Sequence, residues 1–97
     1  VTEIQNRSDP DADSQPWYVY MVRCADRSLY TGISTDPERR LHEHNHDNKR
    51  AAAYTRSRRP VVLVYCETHT SRSLASRREY EIKQLTTVAK QLLIRDK

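Results

Sequence analysis

A chain of 97 residues, 36% hydrophobic and 31% charged, has room for one domain with a modest core and most side chains facing water. Its net charge of +4 is unevenly placed: Glu3, Asp9, Asp11 and Asp13 against Arg7 leave residues 1–16 at −3 and the remainder at +7, which is either the footprint of a domain that meets a polyanion or simply a basic soluble surface. Two cysteines, Cys24 and Cys66, exclude a disulfide scaffold or a cysteine zinc site, and no apolar run approaches the ~20 residues of a membrane span.

Residues 1–16 lack hydrophobic periodicity, end in Ser14-Gln15-Pro16, and are expected to be a disordered acidic tail ahead of a single domain over 17–97. This polar start is not a signal peptide, and the thiols suit a reducing compartment, so the expected location is cytoplasmic.

From Trp17 to Arg23, β-branched and aromatic residues predict a strand. Alternation places Trp17, Val19 and Met21 on one face and Tyr18, Tyr20 and Val22 on the other. Ala25-Asp26-Arg27-Ser28 is the turn, and Leu29–Ile33 a second strand on which Tyr30 and the chain's single glycine, Gly32, share a face. So short a connection makes the pair an antiparallel hairpin.

Ser34-Thr35-Asp36-Pro37-Glu38 starts a helix, either by a Thr35/Glu38 capping box or by an Asp36 cap with Pro37 in the first position. It is expected to run to about Asp47, with Leu41 its main apolar residue and Arg40 and His44 on one face. Residues 48–60 form a basic connector in which Ala51–Tyr54 has the composition of a helical turn. Val61–Cys66 reads as a strand apolar on both faces, hence internal or covered on both sides. A helix capped by Thr70 or Ser71 runs to about Leu85 with Ala75, Ile82 and Leu85 inward. A last helix, about Thr87–Ile94, carries Val88, Leu92 and Leu93. The order β-β-α-β-α-α predicts an α+β sandwich.

Several residues suit phosphodiester chemistry, which needs an activated water and neutralisation of charge on the phosphoryl oxygens. Glu79, at the edge of the inner stripe between Ala75 and Ile82, is either a metal ligand or a boundary residue paired with Lys83; one carboxylate with several waters suits Mg²⁺ or Mn²⁺. Arg40 offers a planar fork for a phosphate, and its neighbour Arg39 is a further phosphate contact or a solvated charge. Tyr30 would act as base or position the water, although its ordinary pKa near 10 must then be lowered by the metal and Arg40. Tyr20 either packs or hydrogen-bonds the nucleophile or phosphate. His44 has the intrinsic pKa of a proton carrier. A His42/His44/His46 metal trio is disfavoured, because helical spacing turns His42 about 200° from His44. Lys49, Arg50, Arg56 and Arg58 with Tyr54 read either as a strand-binding surface of cations and one stacking aromatic or as a solvated loop, and Lys83 is a further candidate cation for the phosphate. Gly32 is read as leaving open the space beside Tyr30 where a phosphate or metal approaches the backbone.

Tyr18-Val19-Tyr20, a gap of nine residues, Tyr30-Thr31-Gly32, Arg40 ten positions beyond that second tyrosine, His44, and Glu79 in a later helix together resemble the GIY-YIG nuclease superfamily. The similarity spans about residues 17–94. Ala52–Arg56 and Pro60–Tyr65 are similar to the connector and strand of its small stand-alone YhbQ-like branch. The resemblance implies a three-stranded antiparallel sheet flanked by helices and a divalent-metal-dependent endonuclease centre acting on DNA. In it Tyr20 and Tyr30 line the site, Arg40 binds the scissile phosphate and Glu79 holds the metal. The chain departs from the pattern at Tyr18, where the family has its first glycine, and at Ile33, a lysine in some repair nucleases. It has no asparagine after Asn48, Gln91 being the nearest carboxamide. With no second domain in 97 residues to read a long duplex, single-stranded or distorted DNA is the expected substrate. The alternatives are a non-catalytic nucleic-acid-binding module on the same scaffold and a protein-interaction domain.

Overall fold

The computed structural model describes residues 15–96. The expected tail therefore lies, but for its last two residues, outside the described residues. β1 (Trp17–Arg23) is the middle strand of a three-stranded sheet ordered β2-β1-β3, with β2 at Leu29–Ser34 and β3 at Val62–His69. Both pairings are antiparallel. The hairpin closes at a turn where Cys24 N–H donates to the Ser28 carbonyl at 2.8 Å and Arg27 takes a positive φ of 73°.

β1 is covered on both faces in the alternation read from its sequence. Val19 and Met21 pack with Tyr65, Ala75 and Ile82, while Tyr20 and Val22 pack with Cys24 and Val61. One layer of helices covers the first face: α3 (Arg72–Lys83) through Ala75 and Ile82, and α4 (Thr87–Asp96) through Leu93 and Ile94. On the second face lie α1 (Pro37–His46), which contributes Leu41, and the connector with its single-turn helix α2 (Ala53–Arg56). The chain is thus an α+β fold, a three-stranded antiparallel sheet between helices.

Of the two possible starts for α1, the Asp36 carboxylate is the cap, accepting from Arg39 N–H at 3.1 Å with Pro37 following. Ser71 rather than Thr70 caps α3, accepting from Leu74 N–H at 3.2 Å.

Three expectations are corrected, and the facing of the last helix is settled. β3 reaches His69, and it is an edge strand with Val62 54% exposed, so the internal strand is β1. Its residues do reach both apolar layers, Leu63 one and Val64 and Tyr65 the other. A slip in register makes this possible, since Met21 faces Tyr65 but Val22 faces Leu63. The connector's helical turn begins two residues later than Ala51. Leu85 lies beyond the end of α3 and is exposed. In α4, Val88 and Leu92 point to solvent, because the helix is turned so that the adjacent Leu93 and Ile94 meet the sheet.

Polar clamps hold these layers in register. Asn45 of α1 bonds both backbone groups of Val61, donating from Nδ2 at 3.0 Å and accepting at Oδ1 at 2.8 Å. Glu67 of β3 accepts from Arg78 Nε of α3 at 2.8 Å, and also from Tyr65 and His69. Burial pushes the Glu67 carboxyl up, but these donors outweigh it and hold the group below the usual carboxylate range.

Candidate active site

Tyr20 is the residue around which the site assembles. It lies on the β1 face toward α1, directly across from Gly32 of β2, and only 1% of it is exposed. Its ring lies over that glycine: a β-carbon at position 32 would meet the Tyr20 hydroxyl oxygen at 2.6 Å and Cζ at 2.8 Å. The space expected to admit a phosphate beside Tyr30 is therefore filled by the Tyr20 ring. Gly32 seats a tyrosine.

The Tyr20 hydroxyl is 2.8 Å from His44 Nε2, and His44 Nδ1 is 3.0 Å from Thr55 Oγ1. Thr55 in turn donates its hydroxyl proton to the Ala52 carbonyl at 3.0 Å. A hydroxyl has one proton, so Thr55 must accept from His44, which places the imidazole proton on Nδ1. Nε2 then carries the lone pair, and Tyr20 donates to it. The chain Tyr20→His44→Thr55→Ala52 is fully assigned, with His44 and Thr55 both 0% exposed.

Burial sets the protonation states. It holds the His44 imidazole down at about 4, aided by the Arg40 charge, opposed by Glu43, and aided again by Arg59. His44 is therefore neutral at pH 7, both nitrogens engaged and closed off from water. It is not a freely exchanging proton carrier, as its intrinsic pKa suggested. Burial also raises the Tyr20 hydroxyl well above the ordinary phenolic range; the Arg40 guanidinium opposes the rise by charge and hydrogen bond, and Tyr30 and Glu79 add to it. Arg40, Tyr30 and Glu79, chosen from separate parts of the sequence, all lie within electrostatic reach of one hydroxyl.

Tyr30, half-buried on β2, meets His44 edge-on with ring centroids 5.4 Å apart, and stacks with Tyr54 at 6.0 Å. Arg40 is held in place by donating to Glu43 Oε1 at 2.9 Å and to the Arg50 carbonyl at 2.6 Å. Glu43, also 3.7 Å from Arg39 Nε, was not anticipated. Its position three and four residues after two arginines was the available signal. Thr55 was not anticipated as a partner of His44 either, and no local spacing indicates a contact across eleven residues.

Glu79 projects from α3 with Oε2 3.2 Å from Lys83 Nζ, so Lys83 sits on the carboxylate. Its Oε1 has no hydrogen-bond partner among the described residues. Such a half-engaged carboxylate fits a hard divalent cation that keeps most of its waters. Among the described residues no group of three His, Cys, Asp or Glu side chains is arranged to hold a metal ion. His42 and His46 pair with each other on the outer side of α1, ring centroids 4.6 Å apart, and His44 points inward, as the helical angle predicted. Gln91 accepts from Arg23 at 3.4 Å.

Connector cations are engaged mainly with the connector itself. Arg56 donates to the Asn48 carbonyl at 2.8 Å, Arg58 to the Tyr54 carbonyl at 2.8 Å and to Asp26 at 3.1 Å, and Arg50 to Asp47 at 3.1 Å. The Arg58 guanidinium lies 3.8 Å from the centre of the Tyr54 ring. With Tyr30 stacked on it as well, Tyr54 is occupied as an aromatic platform, contrary to its expected role under a base. Arg39, Arg40 and Arg50 gather elsewhere, with Glu43, Trp17 and Ile33, around an open depression of about 360 Å³.

Neither Cys24 nor Cys66 is in a disulfide, and no helix among the described residues is long and apolar enough to cross a membrane. Comparison with known proteins agrees with the geometry. The family model of the GIY-YIG catalytic domain matches residues 16–91. The UPF0213 protein of Desulfotalea psychrophila is 56% identical over 86 residues, covering 89% of this chain and 77% of its own. That of Staphylococcus haemolyticus is 50% identical over 80 residues, covering 82% and 95%. The solution NMR structure of the UPF0213 protein of Bacillus halodurans superposes with a TM-score of 0.55 at 40% identity, covering 86% of each chain. With its matched residues and its β2-β1-β3 sheet, the chain belongs to the GIY-YIG family, alongside the small UPF0213 proteins.

Proposed function

We propose that this protein is a divalent-metal-dependent endonuclease that hydrolyses DNA phosphodiester bonds, preferring single-stranded or distorted DNA. Family membership supports nuclease activity in general. The observation that carries the reading for this chain is the cluster in which Tyr20 bonds His44, Tyr30 meets His44 edge-on and Arg40 is anchored beside them, with the Glu79 charge felt at the Tyr20 hydroxyl.

Each residue then has a role set by its surroundings. Tyr20 is 1% exposed, so water does not reach it; it is a positioning residue whose proton is committed to His44. Tyr30, only half-buried, is the tyrosine that can meet the attacking water. Arg40 is anchored through Nη1 to Glu43 and the Arg50 carbonyl, and its other N–H groups, on the side of Tyr20, are the ones that would meet a phosphoryl oxygen. Glu79 would hold Mg²⁺ or Mn²⁺, Lys83 giving way as the cation takes its place. When bound, the ion supplies a Lewis acid that offsets charge developing on the phosphate. Lys49, Arg39 and Arg50 present charge to the flanking backbone.

The Glu79–Lys83 ion pair favours one other reading, a binding module in which the carboxylate is structural. Incubating the protein with end-labelled single-stranded and nicked DNA in Mg²⁺ or Mn²⁺ separates the two. The nuclease reading expects products that fall at least a hundredfold in Arg40→Ala and Glu79→Ala, with circular dichroism unchanged. Undiminished cleavage in either variant would overturn the roles. Salt-sensitive binding with no product in the unmodified protein would establish the binding module instead.

A further inference from the structure

The open depression beside Arg40 has a composition that the cleavage site does not account for. One wall is apolar: Trp17 at the start of β1 and Ile33 near the end of β2, on the same face of the sheet. The other is cationic: Arg39 and Arg40 from α1, and Arg50 from the connector, with Glu43 fixing the first two. At about 360 Å³ it lies at the small end of ligand sites, which run roughly 300–1,000 Å³. That is room for one nucleotide and too little for a duplex. Arg39 is more than half exposed and Arg50 more so, so their charge is available to a ligand.

An aromatic wall facing guanidinium groups is the arrangement that stacks a base and binds its phosphate. With the Tyr54 ring already engaged by Tyr30 and Arg58, Trp17 is the aromatic left beside the cationic wall. We propose that this depression is a subsite for one unpaired nucleotide flanking the scissile phosphate, with the base on Trp17 and the adjoining phosphate on Arg39 and Arg50. The proposal rests on the nucleic-acid reading above and sharpens it. A base within a duplex has its faces covered by its neighbours, so a stacking subsite selects single-stranded or unpaired substrate. Arg72, whose guanidinium carbon is 5.6 Å from the Trp17 ring centre, is then the side chain that a base displaces or stacks beside.

Because Trp17 is the chain's only tryptophan, its fluorescence reports on the subsite directly. Oligothymidylate titrated into the full chain, without divalent metal, is expected to quench that fluorescence. An abasic oligomer of equal length, with the same phosphates and no bases, is expected to leave it unchanged. Trp17→Phe keeps a ring and should bind within a few-fold of the unmodified chain. Trp17→Leu keeps apolar bulk without a π-face and should bind thymidylate about 5- to 150-fold more weakly. Equal quenching by both oligomers, or unchanged affinity in Trp17→Leu, would overturn the subsite. Should the leucine variant fail to fold, the comparison of the two oligomers on the unmodified chain still decides. Cleavage without thymidylate-specific quenching removes the subsite and leaves the nuclease reading intact; quenching without cleavage does the reverse.

Discussion

A β-carbon on residue 32 would stand 2.6 Å from the Tyr20 hydroxyl oxygen, well inside contact distance, and the ring it meets is buried and hydrogen-bonded to His44. Gly32→Ala is therefore expected to destabilise the fold by about 1–3 kcal/mol, as overpacking does. Urea unfolding should recover part of that loss when Tyr20→Phe is added, because the closest atom is then gone. Additive losses in the double variant would mean that the glycine serves something other than the ring. The glycine's uniqueness was legible in composition, but its purpose was not. Sequence order places Gly32 beside Tyr30, its neighbour on β2; strand pairing places it under Tyr20, its partner on β1.

Among elements, the informative junction is that of α1 with α2. α1 is polar along most of its length, and its one buried residue is His44. A single-turn helix eleven residues later supplies Thr55, the acceptor that fixes the imidazole proton on Nδ1. Thr55→Val retains shape and leaves that N–H without a partner, an expected loss of about 1–3 kcal/mol. The imidazole ¹⁵N shifts should move toward the other tautomer, and Thr55→Ser should restore both stability and spectrum. A spectrum unmoved by valine would show that Thr55 does not set the tautomer. The hairpin and the caps of α1 and α3 were readable because they depend on neighbours in sequence. The rotation of α4 was not, since Val88, Leu92, Leu93 and Ile94 are all apolar and only the sheet selects among them.

For the whole molecule, the buried imidazole links folding to pH. His44 is held at about 4 in the folded protein, against 6.5 ordinarily, so between those values the unfolded chain binds a proton that the folded chain refuses. Stability is therefore unaffected by this group above pH 6.5 and falls as pH drops through the window, by up to about 3 kcal/mol near pH 4. Urea midpoints measured from pH 7 to pH 4 should show this slope, and His44→Gln should flatten it. An equal slope in that variant would assign the loss to other groups.

Residue type and order determined the hairpin, the order of elements, the two-faced pattern of β1, and the set Tyr20, Tyr30, Arg40, His44 and Glu79 as candidates. The hairpin, the element order and the β1 pattern follow from alternation and capping, which act over a few residues or one turn; the candidate set follows from the resemblance to the GIY-YIG pattern, whose elements span most of the domain. Tertiary structure decided how the candidates divide the work: Tyr20 closed off over Gly32, His44 neutral between Tyr20 and Thr55, Arg40 anchored by Glu43, and Tyr54 engaged by Arg58. Burial and long-range hydrogen bonding settle such states, and neither exists until β1 lies between its two strands with helices on both faces.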